Sequence, residues 1–257
     1  MHRFQILNSN GIKFLAAALM LIDHVGCFLL TECTLLRIIG RLSFPLFAFM
    51  FAEGCRHTRN MFAEGCRHTR NKKKHFLLLL FAAAVTETLN FLFISHLSGT
   101  SIFTTFVLSA LAIYALQYCK GVCMSGERPA WHKALAVLLF AFTVAAIFAF
   151  CQIISVDYGF WGCMLPVFAA LPDGISLSPP GQSHPSDILL LKIGCLGVGL
   201  LILSLFSGSS IQIFSIFSVF LLLLYNGKRG KRNTKYFFYI FYPAHLLLLE
   251  GISHVIL

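Results

Sequence analysis

Several ionisable side chains interrupt long apolar runs of this sequence. In a membrane-embedded segment such groups are expensive, at about 2.5–3.5 kcal/mol each on insertion scales, and are candidates for function by default. Asp23 and His24 stand together in the first run, and Arg37 and Arg41 are four residues apart on one face of the second. The candidate set is Asp23, His24, Arg37, Arg41, Glu53, Glu87, Asp157, Tyr242 and His245.

Acyl transfer from a thioester is a reaction that suits this set. It needs a base that takes the acceptor's proton, and cationic or hydrogen-bonding groups near the developing oxyanion. His24 is the candidate base, and Asp23 and Glu53 complete the candidate catalytic group. Adjacent helical residues point about 100° apart, so a carboxylate on another helix could orient His24 instead of Asp23. The same charges could also serve helix packing alone, as buried ion pairs do.

Other catalytic signatures are missing from the sequence. It contains no GxSxG, Walker loop, HExxH or Gly-rich dinucleotide turn, so any chemistry must be assembled from the intramembrane set. The nine Cys residues are scattered without CxxC or Cys/His ligand spacing. We therefore expect no metal site and interpret the cysteines as small buried hydrophobic residues.

Composition indicates the elements that must position these groups. The 257 residues are 58% hydrophobic and 12% charged, with a mean hydropathy of +0.80, against about 25% charged residues in soluble domains. The apolar runs approach the length of about 20 residues that a bilayer-spanning helix needs. The sequence predicts an all-α, polytopic transmembrane helix bundle, one domain over 1–257, with about nine spans near 12–31, 34–54, 75–95, 102–118, 134–154, 158–171, 187–206, 211–225 and 236–256.

The distribution of Lys and Arg predicts the orientation. The net charge is +10, and the basic segments are the N-terminus, 56–74, 120–133 and 228–235. With nine spans, all four segments fall on one side of the membrane. The opposite connections, near 32–33, 96–101, 155–157 and 207–210, contain no Lys or Arg. By the positive-inside rule the N-terminus is cytoplasmic. We therefore expect a multi-pass protein of the cell membrane, whose positive charge serves its orientation and not the binding of nucleic acid.

The sixth predicted span is the weakest. It is short and contains Pro166, so a re-entrant segment is conceivable. Crossing is favoured, because otherwise the basic run 228–232 would face outward.

An exact tandem repeat interrupts the pattern. Residues 50–60 and 61–71 both read MFAEGCRHTRN, which is too short and too perfect for a solenoid period and indicates an insertion. Eleven helical residues make about three full turns plus 20°. Each residue of the second copy would therefore point almost the same way as its counterpart in the first, and the second copy could prolong the second span without changing its faces. We expect the first copy in the native position at the membrane edge and 61–71 as an extra loop or protruding helix.

Several stretches of the chain match the pattern of a known family: 21–26, 37–49, 52–54, 57–60, Glu87 with its flanks, 102–104, 157–159 and 239–247. Through these stretches the chain resembles TraX, a membrane protein family named for acetylation of the F-pilin N-terminus. The resemblance covers nearly the whole chain, and the tandem copy and Ser101 depart from the family's pattern.

The TraX family is in turn similar to integral-membrane acyltransferases that acetylate bacterial surface sugars. In that group a basic residue precedes a helix-one histidine by eleven positions, as Lys13 precedes His24, and an Arg-x-x-Arg lies near the cytoplasmic side, as in Arg56–Arg59. The resemblance implies acetyl transfer by His24 and recognition of the acetyl-CoA phosphates by basic residues. The expected cofactor-binding residues are Lys13, Arg37, Arg41, Arg56 and Arg59.

The leading hypothesis is therefore a membrane acetyltransferase that takes its acetyl group from cytosolic acetyl-CoA, with no metal. The partners are the lipid bilayer, acetyl-CoA, and an acceptor that could be a pilin-like N-terminus, a surface glycan or a lipid. Two alternatives stay open: a small-molecule transporter whose intramembrane charges form a substrate path, and a non-catalytic scaffold of the cell envelope.

Overall fold

A computed structural model describes residues 5–57, 72–94, 99–126, 128–174, 185–230 and 234–256. Within these ranges the chain forms helices and no β-strand, apart from one isolated bridge between Leu7 and Tyr225. The helices are α1 (Ser9–Phe28), α2 (Thr34–Gly40), α3 (Ser43–His57), α4 (Lys72–Phe93), α5 (Ile102–Cys123), α6 (Ala130–Ile153), α7 (Gly159–Ala170), α8 (Pro185–Phe206), a 3-10 helix (Ser210–Phe217), α9 (Ser218–Leu223) and α10 (Lys235–Ile256).

The predicted multi-span helical bundle is confirmed. Six segments of the described chain are long and apolar enough to cross a membrane: α1, α2 with α3 as Thr34–Arg56, α4, α5, α6 and most of α8. Two further predicted spans are shorter apolar helices, α7 and Ser210–Leu223, and the ninth is the 22-residue α10. The cytoplasmic orientation of the N-terminus stays a prediction.

The predicted second span differs from expectation because it is broken. Arg41 and Leu42 form a turn between α2 and α3, in which the Leu42 amide bonds the Ile39 carbonyl three residues back. The hydroxyl of Ser43 donates to the carbonyl of Ala16 at 2.7 Å and ties the start of α3 to α1. The break places Arg41 at the junction of two helices, beside α1.

Helix α7 is too short to cross the hydrocarbon core alone. Its 12 residues extend about 18 Å, against about 30 Å for the core. A helix end at membrane depth needs partners for its last carbonyls. Lys120 on α5 supplies them by donating to the carbonyls of Ala170, Leu171 and Asp173.

Burial separates the central helices from the peripheral ones. In the apolar windows of the long helices, 61% of the α5 residues are buried but only 11% of those in α6. Large apolar side chains of α6, such as Leu138 and Phe142, are more than 60% exposed. Such a surface suits lipid contact. The polar groups of interest lie on the other side of α5, towards α1, α3 and α7.

Two glycines allow α1 and α2 to approach closely. A β-carbon on Gly40 would lie 2.2 Å from the β-carbon of Asp23, and one on Gly26 would lie 2.8 Å from that of Leu36. No side chain fits at such distances without moving a helix. This contact brings Arg37 on α2 next to Asp23 on α1.

Gly40→Ala is expected to destabilise the protein by about 1–3 kcal/mol, because the added methyl group forces α2 away from α1. The measurement is the thermal unfolding midpoint of the detergent-purified protein, followed by size-exclusion chromatography. Gly194→Ala is the matched control, because nothing lies within 4 Å of its β-carbon position on α8. A midpoint for Gly40→Ala equal to that of the control would contradict the close-packing argument.

Candidate active site

Six of the predicted site residues line one cavity of about 170 Å³. Helices α1, α2 and α10, the turn after α2, and the connections before α5 and before α7 form its walls. The predicted residues that it brings together are Asp23, His24, Arg37, Arg41, Asp157 and Tyr242. Cys27, Thr100 and Tyr158 also line it.

The cavity lies towards the end of the bundle that is opposite the basic connections. His24 is fifteen residues into α1, about 22 Å from Ser9 along the helix axis. Gly99 and Thr100 form one wall, and Asp157 and Tyr158 form another. The sequence connections to which they belong, 94–101 and 154–158, contain no Lys or Arg. If the N-terminus is cytoplasmic, the cavity is on the non-cytoplasmic side of the membrane centre.

A pair of histidines forms part of this site. The Nδ1 atom of His24 lies 2.8 Å from Nε2 of His245 on α10. The Nδ1 atom of His245 lies 2.8 Å from the backbone carbonyl oxygen of Phe241. The ring of Phe241 stacks on His245, and the edge of Tyr242 packs against His24. His245 is therefore held from both sides, although it was predicted only as an intramembrane polar residue.

These contacts fix where the protons lie. A carbonyl oxygen only accepts, so His245 must donate from Nδ1–H, and in a neutral ring its Nε2 is then an acceptor. His24 must therefore donate from its own Nδ1–H. The remaining nitrogen of His24, Nε2, is left without a proton and carries a lone pair, which is the form a general base requires.

Asp23 does not orient His24. Its Oδ2 atom pairs with the Arg37 guanidinium at 2.9 Å, and Arg37 also donates to the Asp23 backbone carbonyl at 3.1 Å. The carboxylate thus holds α2 against α1 and balances one of the two arginine charges of the cavity. The partner that orients His24 is a second histidine, where the sequence suggested a carboxylate.

Arg41 faces Tyr158 across the cavity. Its Nη1 atom lies 3.4 Å from the Tyr158 hydroxyl, and its guanidinium carbon lies 5.8 Å from the centre of the tyrosine ring. Tyr158 has a φ of 59° and stacks on Phe44 with ring centres 4.1 Å apart. A left-handed conformation is uncommon for a bulky residue and costs about 1–3 kcal/mol, so packing against Phe44 must hold it there.

Three polar atoms of the cavity residues are buried without a hydrogen-bond partner. They are Asp23 Oδ1, Arg41 Nε and Thr100 Oγ1. Leaving such groups unsatisfied costs about 1–3 kcal/mol each, so they favour a polar ligand or water in the cavity. Among the described residues, no group of three His, Cys, Asp or Glu side chains could hold a metal ion.

Glu87 and Tyr242 support the wall of the cavity formed by the start of α5. The Tyr242 hydroxyl accepts from the Ile102 amide at 3.5 Å. The Oε1 atom of Glu87 accepts from the Ser101 amide at 2.7 Å, from the Ser101 hydroxyl at 2.9 Å and from the Thr104 hydroxyl. It thereby satisfies amide and hydroxyl groups that a helix N-terminus leaves free. Ser101, which departs from the resemblance pattern, makes two of these bonds.

Glu53 and Arg56 lie in a separate group, which we call the inner cluster: Glu53, Arg56, Asp173 and Lys192. Lys192 is fully buried on α8 and contacts both Glu53 and Asp173, the latter at 2.9 Å. Arg56 lies 3.8 Å from Glu53 and 3.6 Å from Asp173. Glu53 is ten residues, about 15 Å, along α3 from Ser43, so the structure does not bring it to His24.

Lys192→Ala is expected to destabilise the protein by about 3–5 kcal/mol, because it removes the buried cation between two buried carboxylates and leaves them only the partly exposed Arg56. The measurement is the thermal unfolding midpoint in detergent together with the amount of protein in the membrane. The control is the triple variant Glu53→Gln, Asp173→Asn, Lys192→Met, which removes all three charges and should recover most of the loss. Equal stability of Lys192→Ala and wild type would contradict a structural ion-pair cluster.

Of the two remaining predicted cofactor-binding residues, Lys13 lies away from the cavity. Lys13 is eleven residues before His24 on α1, about 16 Å along the axis. Arg59 lies outside the described residues, as does the second repeat copy at 61–71. Residues 50–57 of the first copy belong to α3, and Met50, Ala52 and Cys55 are buried there.

The structure also identifies residues that sequence reasoning missed. Asp173 and Lys192 are buried charges of the inner cluster. Lys192 stands in the apolar run 187–206, and this signal could have found it. Thr100 has no such signal. Cys27 was interpreted as a small buried hydrophobic residue. Its position three residues after His24 places both side chains on one face of α1, and this spacing could have marked it as a neighbour of the site.

Comparisons with known proteins identify the family. The profile described as TraX protein matches residues 8–253. A curated relative, an uncharacterized protein of Rickettsia prowazekii (strain Madrid E), is 50% identical over 38 residues, which is 15% of this chain and 15% of that protein. No solved structure matches. Because the family profile covers nearly the whole length, this multi-span membrane protein belongs to the TraX family.

Proposed function

We propose that this chain is a membrane-embedded acetyltransferase, which moves an acetyl group from acetyl-CoA to an acceptor at the cavity. The observation that carries the proposal is the hydrogen-bonded series from the Phe241 carbonyl through His245 to His24. It leaves a basic nitrogen, His24 Nε2, on a residue that lines a polar cavity within the membrane. A histidine held in this tautomer is suited to proton transfer rather than to packing.

The first step in this mechanism is proton removal from the acceptor. His24 Nε2 takes a proton from the acceptor's amine or hydroxyl group as that nitrogen or oxygen attacks the thioester carbonyl carbon. His24 then carries a positive charge, which the neutral His245 stabilises by accepting the Nδ1–H bond.

The second requirement is stabilisation of the negative oxygen that forms on the attacked carbonyl. Arg41 Nε–H is a buried donor with no partner in the described chain, and its residue lines the cavity. A donor that is already in place when the charge develops is worth about 2.7–4 kcal/mol in well-studied enzymes. We assign Arg41 this role, while Arg37 is engaged by Asp23.

The intermediate then collapses with cleavage of the carbon–sulfur bond. The His24 Nε2–H proton goes to the departing CoA thiolate, which leaves as the thiol. The acceptor keeps the acetyl group, and His24 returns to its basic form with Nδ1–H still bonded to His245. All protons are accounted for by one residue acting first as base and then as acid.

The position of the cavity bears on how the substrates reach it. Acetyl-CoA is cytosolic, whereas the cavity lies towards the end of the bundle opposite the basic connections. In this proposal the thioester arm enters between the helices and the CoA phosphates stay near basic residues of the cytoplasmic side, such as Lys13, Arg56 and Arg59. The acceptor, whether a pilin-like N-terminus, a glycan or a lipid, arrives from the other side.

Radiolabelled acetyl-CoA tests the proposal directly. Membranes carrying the full chain, or a version that lacks 61–71, are incubated with label on their cytoplasmic face, with native acceptors present. We expect acid-stable label in a membrane or surface product, and its identity gives the acceptor. Absence of transfer in both versions would overturn the enzymatic proposal and favour a transporter. Transfer only in the shortened version would show that the duplication blocks the activity.

A further inference from the structure

Cys27 is a potential nucleophile that the mechanism above does not use. Its side chain lines the same cavity as His24 and is only partly buried. Residues three apart on a helix lie on one face, with β-carbons about 5–6 Å apart. The thiol therefore stands within one helical turn of the basic nitrogen of His24. In the same cavity Asp23 Oδ1, Arg41 Nε and Thr100 Oγ1 are buried without a hydrogen-bond partner in the described chain.

The size of the cavity limits what it can hold at one time. Its volume is about 170 Å³. Typical small-molecule sites are about 300–1,000 Å³. The cavity can take the reacting end of one substrate, but it is cramped for a thioester and an acceptor together. Substrates that arrive from opposite sides could use it in turn.

We propose that Cys27 carries the acetyl group between two half-reactions, a deepening that rests on the proposed acetyltransferase function. In the first half, His24 Nε2 removes the Cys27 thiol proton and the sulfur attacks the thioester carbonyl carbon. The carbon–sulfur bond to CoA breaks, and the proton passes from His24 to the CoA thiolate. The products are acetyl-Cys27 and free CoA thiol.

In the second half, the acceptor occupies the space that the thioester arm has left. His24 takes a proton from the acceptor's amine or hydroxyl group as the acceptor's nitrogen or oxygen attacks the carbonyl carbon of acetyl-Cys27. The carbon–sulfur bond to Cys27 breaks, and the Cys27 thiolate receives the proton from His24. The first half exchanges one thioester for another, so it is close to balanced in free energy and needs no further reactant. A thiol is the side chain that suits such an exchange, because its thiolate is a strong nucleophile and a good leaving group.

The test looks for the acetyl-enzyme without acceptor. Purified full chain in detergent is incubated with acetyl-CoA, and peptides are analysed by mass spectrometry. We expect one acetyl group on the peptide that contains Cys27, removable by neutral hydroxylamine, and exchange of isotopically labelled CoA into acetyl-CoA. Cys27→Ala and Cys27→Ser should lose both signals. Cys33→Ala, at an exposed cysteine between α1 and α2, and Cys195→Ala on α8 should keep them.

The outcomes separate this inference from the function on which it rests. Wild-type protein that acetylates its acceptor, but shows neither acetyl-Cys27 nor CoA exchange, would overturn the two-step route and leave direct transfer. Undiminished acceptor acetylation by a Cys27→Ala protein with a wild-type elution volume would also overturn the two-step route. Absence of acetyl transfer both in the full chain and in the version that lacks 61–71 would remove the proposed function itself.

Discussion

Replacement of His24 by alanine is expected to lower kcat for acetyl transfer by about 10²–10⁴-fold, which is the usual contribution of a positioned general base or acid. The reason is that the unprotonated Nε2 of His24 is lost, and solvent water is a poor substitute in a cavity of this size. The variant also leaves His245 Nε2 without its donor, at a cost of about 1–3 kcal/mol in stability. The measurement is the initial rate of acetyl incorporation per amount of folded protein.

The control for this prediction is His254→Ala. His254 lies on the last turn of α10, is mostly exposed, and pairs with Glu250 at 3.3 Å, away from the cavity. It should retain wild-type rates. A His24→Ala protein that elutes normally and keeps more than about a tenth of the wild-type rate would contradict the assignment of His24 as the proton-transfer residue.

His245 is expected to act through His24, and a pair of substitutions tests this. His245→Leu removes the acceptor for His24 Nδ1–H, so the His24 proton can move to Nε2 and the base is lost. Loss of the correct tautomer lowers kcat by about 10⁴-fold in serine proteases, and we expect a loss of at least about 10²-fold here. His245→Gln offers a side-chain carbonyl oxygen to the same Nδ1–H and should restore part of the rate.

The readout for the pair is kcat against KM together with the pH profile. A positioning role lowers kcat with little change in KM for acetyl-CoA, and it moves the acidic limb of the pH profile, because His24 must be unprotonated to act as the base. If His245→Leu and His245→Gln have equal rates, or if both change KM alone, His245 has a structural role and the tautomer argument fails.

The sequence by itself determined the class of the molecule and most of the site's members. Long apolar runs dictate membrane helices, because the backbone must satisfy its own hydrogen bonds in hydrocarbon. Charged and titratable residues inside those runs are rare enough to mark the site. Six of the predicted residues, including His24, Arg41 and Asp157, do line one cavity.

The tertiary structure alone decided how those residues are paired. Contacts between helices that are distant in sequence leave no periodic signal, so the partnership of His24 with His245, 221 residues later, could not be read from the chain. The pairing of Asp23 with Arg37 depends on the close approach at Gly40. Glu53 was a candidate catalytic carboxylate by its residue type, yet its position along α3 brings it to Lys192 and not to His24. Residue types predicted which groups are present in the membrane, whereas helix packing set which atoms meet and therefore which nitrogen of His24 is basic.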